Sequence, residues 1–127
     1  LHCPLTEETR HLIGRHQLAM MKRSALLINC ARGGLVEEQA LADALEAGEI
    51  AGAGEIAGAG VDVLTEEPPV DGNPLLNPGL PNLIVTPHSA WVAREARQRL
   101  VMLAADNLRS YLAGSPVNQV LSGREPC

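Results

Sequence analysis

The chain has 127 residues, of which 46% are hydrophobic and 20% charged, a composition typical of globular and not of disordered proteins. Its net charge is −5 and it contains no basic run, which argues against nucleic acid and anionic membranes as partners. No stretch has the ~18 uncharged apolar residues of a membrane span, and no secretory signal opens the chain. We therefore expect one cytoplasmic domain of ordinary size.

The cysteines are Cys3, Cys30 and Cys127. They are odd in number and widely spaced, and they form no CxxC or zinc-binding pattern. We expect two small buried side chains and one tail thiol, as in a reducing cytoplasm, and no metal site.

The first part of the chain predicts a strand between helices. The caps and acids of TEET predict short helical turns at residues 7–13, and a second short helix is expected at residues 16–21. The apolar run ALLIN at residues 25–29 predicts a strand that is covered on both faces in a parallel sheet. Apolar spacing then predicts a helix over residues 36–47, with Gly48 as its C-terminal stop.

A tandem repeat follows this helix. Residues 47–52 read AGEIAG, and residues 53–58 read AGEIAG again. Two copies are too few for a solenoid, and the repeated glycines argue against a longer helix. We predict that one copy loops out between the helix and the next strand, as a duplication without function. A continuous helix through Glu55 would contradict this.

The second part predicts two more strands and a long helix. A strand is expected at residues 57–63, and a loop punctuated by Gly and Pro at residues 70–81. The run LIV at residues 83–85 predicts a short buried strand that stops at a proline, and helical spacing predicts a helix over residues 92–113. The last residues, 122–127, are expected to form a frayed tail.

Polar side chains follow three of the predicted strands. Arg32, Asp62 and His88 each come at a C-terminal strand end, and Glu67 lies five residues after Asp62. Because the C-terminal ends of parallel strands share one edge, these residues could meet in one ligand-binding crevice. Each also has a structural explanation: a solvated loop cation, a cap, an exposed glutamate and a structural histidine.

The combination resembles a known family. The segments NCARGGLVEEQAL, GAGVDVLTEEPP and TPHSAW, with the opening LHCPLTEETRHLI, occur in the order found in the D-isomer-specific 2-hydroxyacid dehydrogenases. The Ala-Trp pair after the histidine is most similar to the glycerate dehydrogenase (hydroxypyruvate reductase) branch. The resemblance implies an NAD-dependent oxidoreductase, with NADP not excluded, that acts on a short D-2-hydroxy acid.

The resemblance also implies roles for individual residues. Arg32 matches the arginine that binds the substrate carboxylate, a bidentate task that suits a planar guanidinium. His88 matches the acid/base that exchanges a proton with the carbonyl oxygen, and Glu67 matches its carboxylate partner, which stabilises the imidazolium. Asp62 matches a residue near the nicotinamide. The positions that match cofactor-binding residues are Cys3, Pro4, Cys30, Ala31, Arg32, Asp62, His88 and Ala90.

The resemblance covers only part of the family's architecture. No GxGxxG follows a strand and opens a helix in this chain, and the family's first substrate-binding domain has no counterpart. We expect a partial Rossmann-type parallel sheet at residues 1–90, the second half of a dinucleotide-binding domain. Residues 91–127 would form a C-terminal helix and tail that pack on the missing substrate domain.

Two functional hypotheses remain at this point. The first is an oxidoreductase that is complete only with its N-terminal part, and that is a homodimer as in full-length family members. The second is a non-catalytic Rossmann fragment or gene remnant that acts only by association with another chain. An open apolar sheet edge predicts that the isolated chain is poorly soluble or oligomeric and binds cofactor weakly.

Overall fold

The computed structural model describes residues 1–51 and 56–119 of the chain, without the side chains of residues 47–51. The chain divides into two compact units, Leu1–Ala90 and Trp91–Cys127.

The first unit contains a three-stranded parallel sheet. Its strands are β1 (Leu26–Asn29), β2 (Gly58–Val61) and β3 (Leu83–Val85), in the order β1-β2-β3. In the register of the sheet, Asn29 lies beside Val61 and Val61 lies beside Val85. Together with the long helix at residues 94–112, this parallel sheet confirms the predicted α/β fold class.

The short helical turns predicted at residues 7–13 are confirmed only as far as residue 11. Residues 7–11 form turns, and the first helix is α1 (Arg15–Ala19). His11 has a φ of 51°, which lies outside the right-handed helical region, and its backbone N–H donates to the oxygen of Gly34 at 2.8 Å. This bond directs the chain into a parallel bridge between Ile13 and Val36 instead of a continued helix.

Helix α2 (Glu38–Ala51) connects β1 to β2. The predicted stop at Gly48 is wrong, because the helix continues to Ala51. An interior glycine costs only about 1 kcal/mol relative to alanine, and each added residue of a helix gains a backbone hydrogen bond. The prediction that one AGEIAG copy loops out rests on residues 52–55, which lie outside the described residues.

The core of this unit lies between α2 and one face of the sheet. Leu41 and Leu45 of α2 are fully buried, and β1 and β2 contribute Leu27, Ala59 and Val61, none more than 6% exposed. Burying one leucine of this kind stabilises the fold by roughly 1.5–3 kcal/mol. The core therefore fixes the strand ends, where the polar residues lie.

The other face of the sheet is open in this unit. Leu26 is 70% exposed, Ile28 52% and Ile84 69%. The prediction that the strand at residues 25–29 is covered on both faces is therefore wrong for this chain, since β1 alternates between exposed and buried side chains. The described elements of the unit cover one face only. The expected burial of two cysteines is also wrong, since Cys30 is exposed and Cys3 is only partly buried.

The second unit is built on helix α3 (Arg94–Leu112), close to the predicted residues 92–113. No residue of α3 is buried, and its large apolar side chains Leu100, Leu103 and Leu112 are each more than half exposed. The helix ends before Gly114, whose φ of 75° suits glycine. The predicted frayed tail at residues 122–127 lies outside the described residues. Across the described ranges, no helix is long and apolar enough to cross a membrane.

Candidate functional site

The three strands bring their C-terminal ends to one edge of the sheet. Beyond the ladder, the backbone N–H of Asp62 donates to the oxygen of Asn29 at 3.0 Å, and that of Thr86 donates to Val61 at 2.9 Å. The residues that follow the strands therefore leave the sheet side by side. This edge is where α/β proteins bind ligands.

Glu67 and His88 form a close pair at this edge. His88 Nδ1 lies 2.6 Å from Glu67 Oε2, and Glu67 Oε1 accepts a hydrogen bond from the backbone N–H of Leu64 at 2.8 Å. The His88 backbone is held in the left-handed region at a φ of 51°, with its N–H donating to Thr86 at 3.0 Å. Both side chains are about half to two-thirds buried, so solvent screens the pair only in part.

The surroundings of Glu67 favour its charged form. The hydrogen bond with His88 lowers the pKa of the Glu67 carboxyl below its ordinary value, and the backbone N–H of Leu64 lowers it further. Glu67 is therefore an anion at neutral pH. An anionic acceptor orients the ring by taking the Nδ1–H of His88.

Asp62 holds the loop that carries His88. It is only 4% exposed, and its Oδ1 accepts hydrogen bonds from the Thr86 hydroxyl at 2.5 Å and the Ser89 N–H at 2.8 Å. Its Oδ2 accepts the Ala90 N–H at 2.8 Å. Burial alone raises the pKa of Asp62, but the bonds from Thr86, Ala90 and Ser89 outweigh it and lower the pKa below its ordinary value. A buried carboxylate thus ties the turn at residues 86–90 to β2.

A buried asparagine holds the loop that carries Arg32. Asn29 is 1% exposed; its Oδ1 accepts the Ala31 N–H at 3.2 Å and its Nδ2 donates to the oxygen of Arg32 at 2.9 Å. The Arg32 guanidinium is exposed and donates to the oxygen of Ala31 at 2.7 Å. The arginine is therefore presented outward from a fixed backbone.

The loop after β1 touches the loop after β2. A Cβ at Gly33 would lie 2.0 Å from the carbonyl carbon of Leu64 and 2.2 Å from the nitrogen of Thr65. Only glycine permits this approach. It places the Arg32 loop directly against the backbone that leads to Glu67.

Seven of the nine predicted site residues line two different pockets, and Asp62 and Ala90 line neither of them. A pocket of about 730 Å³ lies between the start of the chain and the loop after β1. Its lining residues are His2, Cys3, Pro4, Leu5, Cys30, Ala31 and Arg32. A pocket of about 480 Å³ contains Glu67 and His88 among apolar side chains that include Pro68, Leu76 and Val85. Arg32 and His88 are connected through the Gly33 contact and do not share a pocket.

Asn29 and Glu38 were not among the site residues predicted from the sequence. Glu38, in the first turn of α2, accepts hydrogen bonds from the Thr65 N–H at 2.7 Å and from Asn73 Nδ2 at 2.9 Å. A polar residue at the end of the apolar run LLIN was a signal for Asn29. The glutamate pair at the start of α2 indicated only a favourable interaction with the helix dipole.

Comparison with known proteins identifies the fold. Residues 1–90 match the family described as D-isomer specific 2-hydroxyacid dehydrogenase, NAD binding domain. The chain belongs to this family. The predicted resemblance is therefore confirmed, and the parallel sheet belongs to the NAD-binding domain of this family.

Two curated relatives carry the names of the predicted branch, glycerate dehydrogenase and hydroxypyruvate reductase. The chain is 54% identical over 120 residues to a glycerate dehydrogenase of Methylorubrum extorquens, covering 94% of this chain and 36% of the relative. It is 44% identical over 120 residues to a hydroxypyruvate reductase of Blautia hydrogenotrophica, covering 94% and 35%. The chain spans about a third of the length of these relatives.

Solved structures agree with the fold. An acyclic imino acid reductase in complex with NADPH and D-Arg has a TM-score of 0.79 and 40% identity, covering 95% of this chain and 36% of that one. A D-isomer specific 2-hydroxyacid dehydrogenase from Lactobacillus delbrueckii ssp. bulgaricus, in its NAD-complexed form, has a TM-score of 0.74 and 35% identity, covering 96% and 38%.

The pocket beside Arg32 fits part of a nicotinamide dinucleotide. Its walls include the small residues Cys3, Cys30 and Ala31, which leave room close to the backbone, and Arg32 supplies the positive charge that an anionic ligand needs. Its volume lies in the range of small-molecule sites, roughly 300–1,000 Å³. Among the residues that the structure describes, no three His, Cys, Asp or Glu side chains lie together as a metal site.

Proposed function

We propose that this chain supplies the acid/base half of an NAD(P)-dependent oxidoreductase acting on the CH–OH group of a short D-2-hydroxy acid. The substrate pair would be similar to glycerate and hydroxypyruvate, the compounds that appear in the names of two relatives. The observation that carries the proposal is the Glu67–His88 pair at the strand edge, with Nδ1 2.6 Å from Oε2.

His88 is proposed as the acid/base. With Nδ1–H donated to the Glu67 carboxylate, Nε2 is the ring atom that can give a proton to the carbonyl oxygen in reduction and take it back in oxidation. The imidazolium that results in oxidation is stabilised by Glu67. Asp62 keeps the loop of His88 in place through its three hydrogen bonds.

Arg32 is proposed to bind the substrate carboxylate. Its guanidinium is exposed on a backbone that Asn29 fixes, and a planar fork donor binds a carboxylate with two parallel hydrogen bonds. Binding the carboxylate at Arg32 would polarise the adjacent carbonyl and orient it toward the Glu67–His88 pair.

The cofactor, when bound, supplies or accepts the hydride. Residues that we propose to line its site are Cys3, Pro4, Cys30, Ala31, Arg32, Asp62, His88 and Ala90. Relatives have been solved with NAD and with NADPH, so NAD is proposed and NADP stays open. We further propose that the units 1–90 and 91–127 act as part of a cytoplasmic homodimer, in which α3 packs on a substrate domain.

The test is a chimera in which this chain replaces the matched third of the Methylorubrum extorquens glycerate dehydrogenase. The purified chimera is assayed for NADH oxidation upon addition of hydroxypyruvate, with the unmodified relative as the positive control. Turnover that depends on hydroxypyruvate is expected. A folded chimera that binds NADH without turnover would contradict the proposal and favour a non-catalytic fragment that acts by association.

A further inference from the structure

Glu38 is the first residue of α2, and both of its carboxylate oxygens bind the loop that follows β2. Oε1 accepts a hydrogen bond from the backbone N–H of Thr65 at 2.7 Å, and Oε2 accepts one from Asn73 Nδ2 at 2.9 Å. Asn73 Oδ1 in turn accepts the Leu75 N–H at 2.9 Å and caps a short 3₁₀ turn. Glu38 therefore fastens two separate points of one loop.

Glu67 lies on this loop, between the two points. Its Oε1 accepts the N–H of Leu64 at 2.8 Å, directly before the Thr65 N–H that Glu38 binds. Gly33, in the loop after β1, is in backbone contact with Leu64 and Thr65. The Leu64–Thr65 peptide is thus fixed by two elements, and its position sets the position of the Glu67 carboxylate.

We propose that Glu38 is a positioning residue for the Glu67–His88 pair, which it acts on by holding the Thr65 peptide and Asn73. A carboxylate suits this task because both of its partners are N–H donors and it only accepts. The catalytic meaning of this inference rests on the proposed function. The geometry that it predicts is a property of the chain without any ligand.

The test is a ¹³C NMR titration of the Glu67 carboxyl in the ligand-free chain, compared between wild type, Glu38→Ala and Glu38→Gln. The hydrogen bonds from His88 and Leu64 lower the pKa of Glu67, so a displaced loop is expected to raise its titration midpoint toward the ordinary value of 4.5. Glu38→Gln keeps one oxygen that can accept the Thr65 N–H, but its amide NH₂ group would face Asn73 Nδ2, which is also a donor. Its midpoint is therefore expected between those of wild type and Glu38→Ala.

Glu46→Ala is the matched control. Glu46 is on the same helix and accepts a hydrogen bond from Asn77 Nδ2 at 3.1 Å, beyond the segment 65–73 that Glu38 fastens, so its removal should leave the Glu67 midpoint unchanged. An equal Glu67 midpoint in Glu38→Ala and wild type would overturn the inference, whatever the melting temperatures. If Glu38→Ala does not fold, Glu38→Gln decides by the same criterion. An inactive chimera with the expected titration would overturn the proposed function alone, and an active chimera with an unmoved titration would overturn this inference alone.

Discussion

His88 and Glu67 leave the neighbouring strands β3 and β2 on separate loops, and their side chains meet with Nδ1 2.6 Å from Oε2. Neither loop is held by this contact alone. Asp62 ties the His88 loop to β2, and the Leu64 N–H holds the other oxygen of Glu67. A pair that is supported from both sides keeps its orientation before any ligand arrives, which the proposed proton transfer would require.

The first prediction concerns the contact between the two loops. Gly33→Ala would place a methyl group 2.0 Å from the carbonyl carbon of Leu64, so one backbone must move. Overpacking of this kind costs about 1–3 kcal/mol, and we expect at least that loss in the free energy of unfolding by urea denaturation. Gly60→Ala is the control, because its Cβ would meet only Ile28 Cδ1 at 3.1 Å. Equal losses in the two variants would contradict the close packing of Gly33.

The second prediction concerns adjacent residues of β1. Leu27 is 6% exposed and Leu26 is 70% exposed, although both lie in the same apolar run. Leu27→Ala is expected to cost about 2–5 kcal/mol of the free energy of unfolding, and Leu26→Ala roughly 0.5 kcal/mol. Chemical denaturation of the two variants measures the difference. A loss in Leu26→Ala as large as that in Leu27→Ala would show that the open sheet face is covered in solution.

The third prediction concerns stability in acid. The pKa values of Glu67 and Asp62 lie below their ordinary values of 4.5 and 3.8, so the unfolded chain binds more protons in this range. The stability that these groups contribute is therefore fully present above pH 4.5 and is lost as the pH falls through their folded-state pKa values. Asp62→Asn is expected to lower the melting temperature at neutral pH and to flatten its decline in acid.

Glu66→Gln is the control for this acid prediction. Glu66 is exposed and lies beside Glu67, so the substitution removes one negative charge without removing a bond to the site. Its melting temperature should decline in acid as steeply as that of the wild type. If the melting temperature of Asp62→Asn declines in acid as steeply as those of the wild type and Glu66→Gln, the Asp62 carboxylate does not stabilise the fold.

The fourth prediction concerns substrate binding in the chimera. Arg32→Lys keeps the positive charge but loses the planar fork, so one of two charge-assisted hydrogen bonds to the substrate carboxylate is lost. At about 1.5–3 kcal/mol for such a bond, kcat/KM for hydroxypyruvate should fall roughly tenfold to a hundredfold. Arg10→Lys, at an exposed arginine 3.9 Å from Glu7, should change it little. An unchanged kcat/KM in Arg32→Lys would remove Arg32 from the proposed site.

The sequence could predict the strands and the polar residues that follow them, because apolar runs of strand length and the polar residues at their ends are local features. LIV at residues 83–85 and the long helix α3 lie where the pattern predicted them. The prediction that LIV is buried is wrong, since Ile84 is 69% exposed. The turn at His11 could not be predicted, since it depends on a hydrogen bond to the distant Gly34. The helix past Gly48 shows that a single glycine is a weak stop when helix-forming residues follow.

The support of the site was the least predictable part. Asn29, Glu38 and Asp62 act through hydrogen bonds to backbone groups that are distant in sequence or lie in irregular loops. No periodicity encodes such contacts. The open sheet face was missed for a related reason: the apolar pattern of β1 suits a strand covered on both sides, and only the packing shows which side α2 covers.

The measurement that tests the central claim most directly is the kcat/KM for hydroxypyruvate reduction by the chimera with His88→Ala. Removal of a general acid is expected to lower kcat/KM about 10²–10⁴-fold. Glu67→Gln should cause a smaller loss, because it weakens the support of His88 in the same proton transfer. His16→Ala, at an exposed histidine of α1, serves as the matched control and should leave it unchanged. A His88→Ala chimera that is as active as the His16→Ala chimera would contradict the assignment of the Glu67–His88 pair as the acid/base of the reaction.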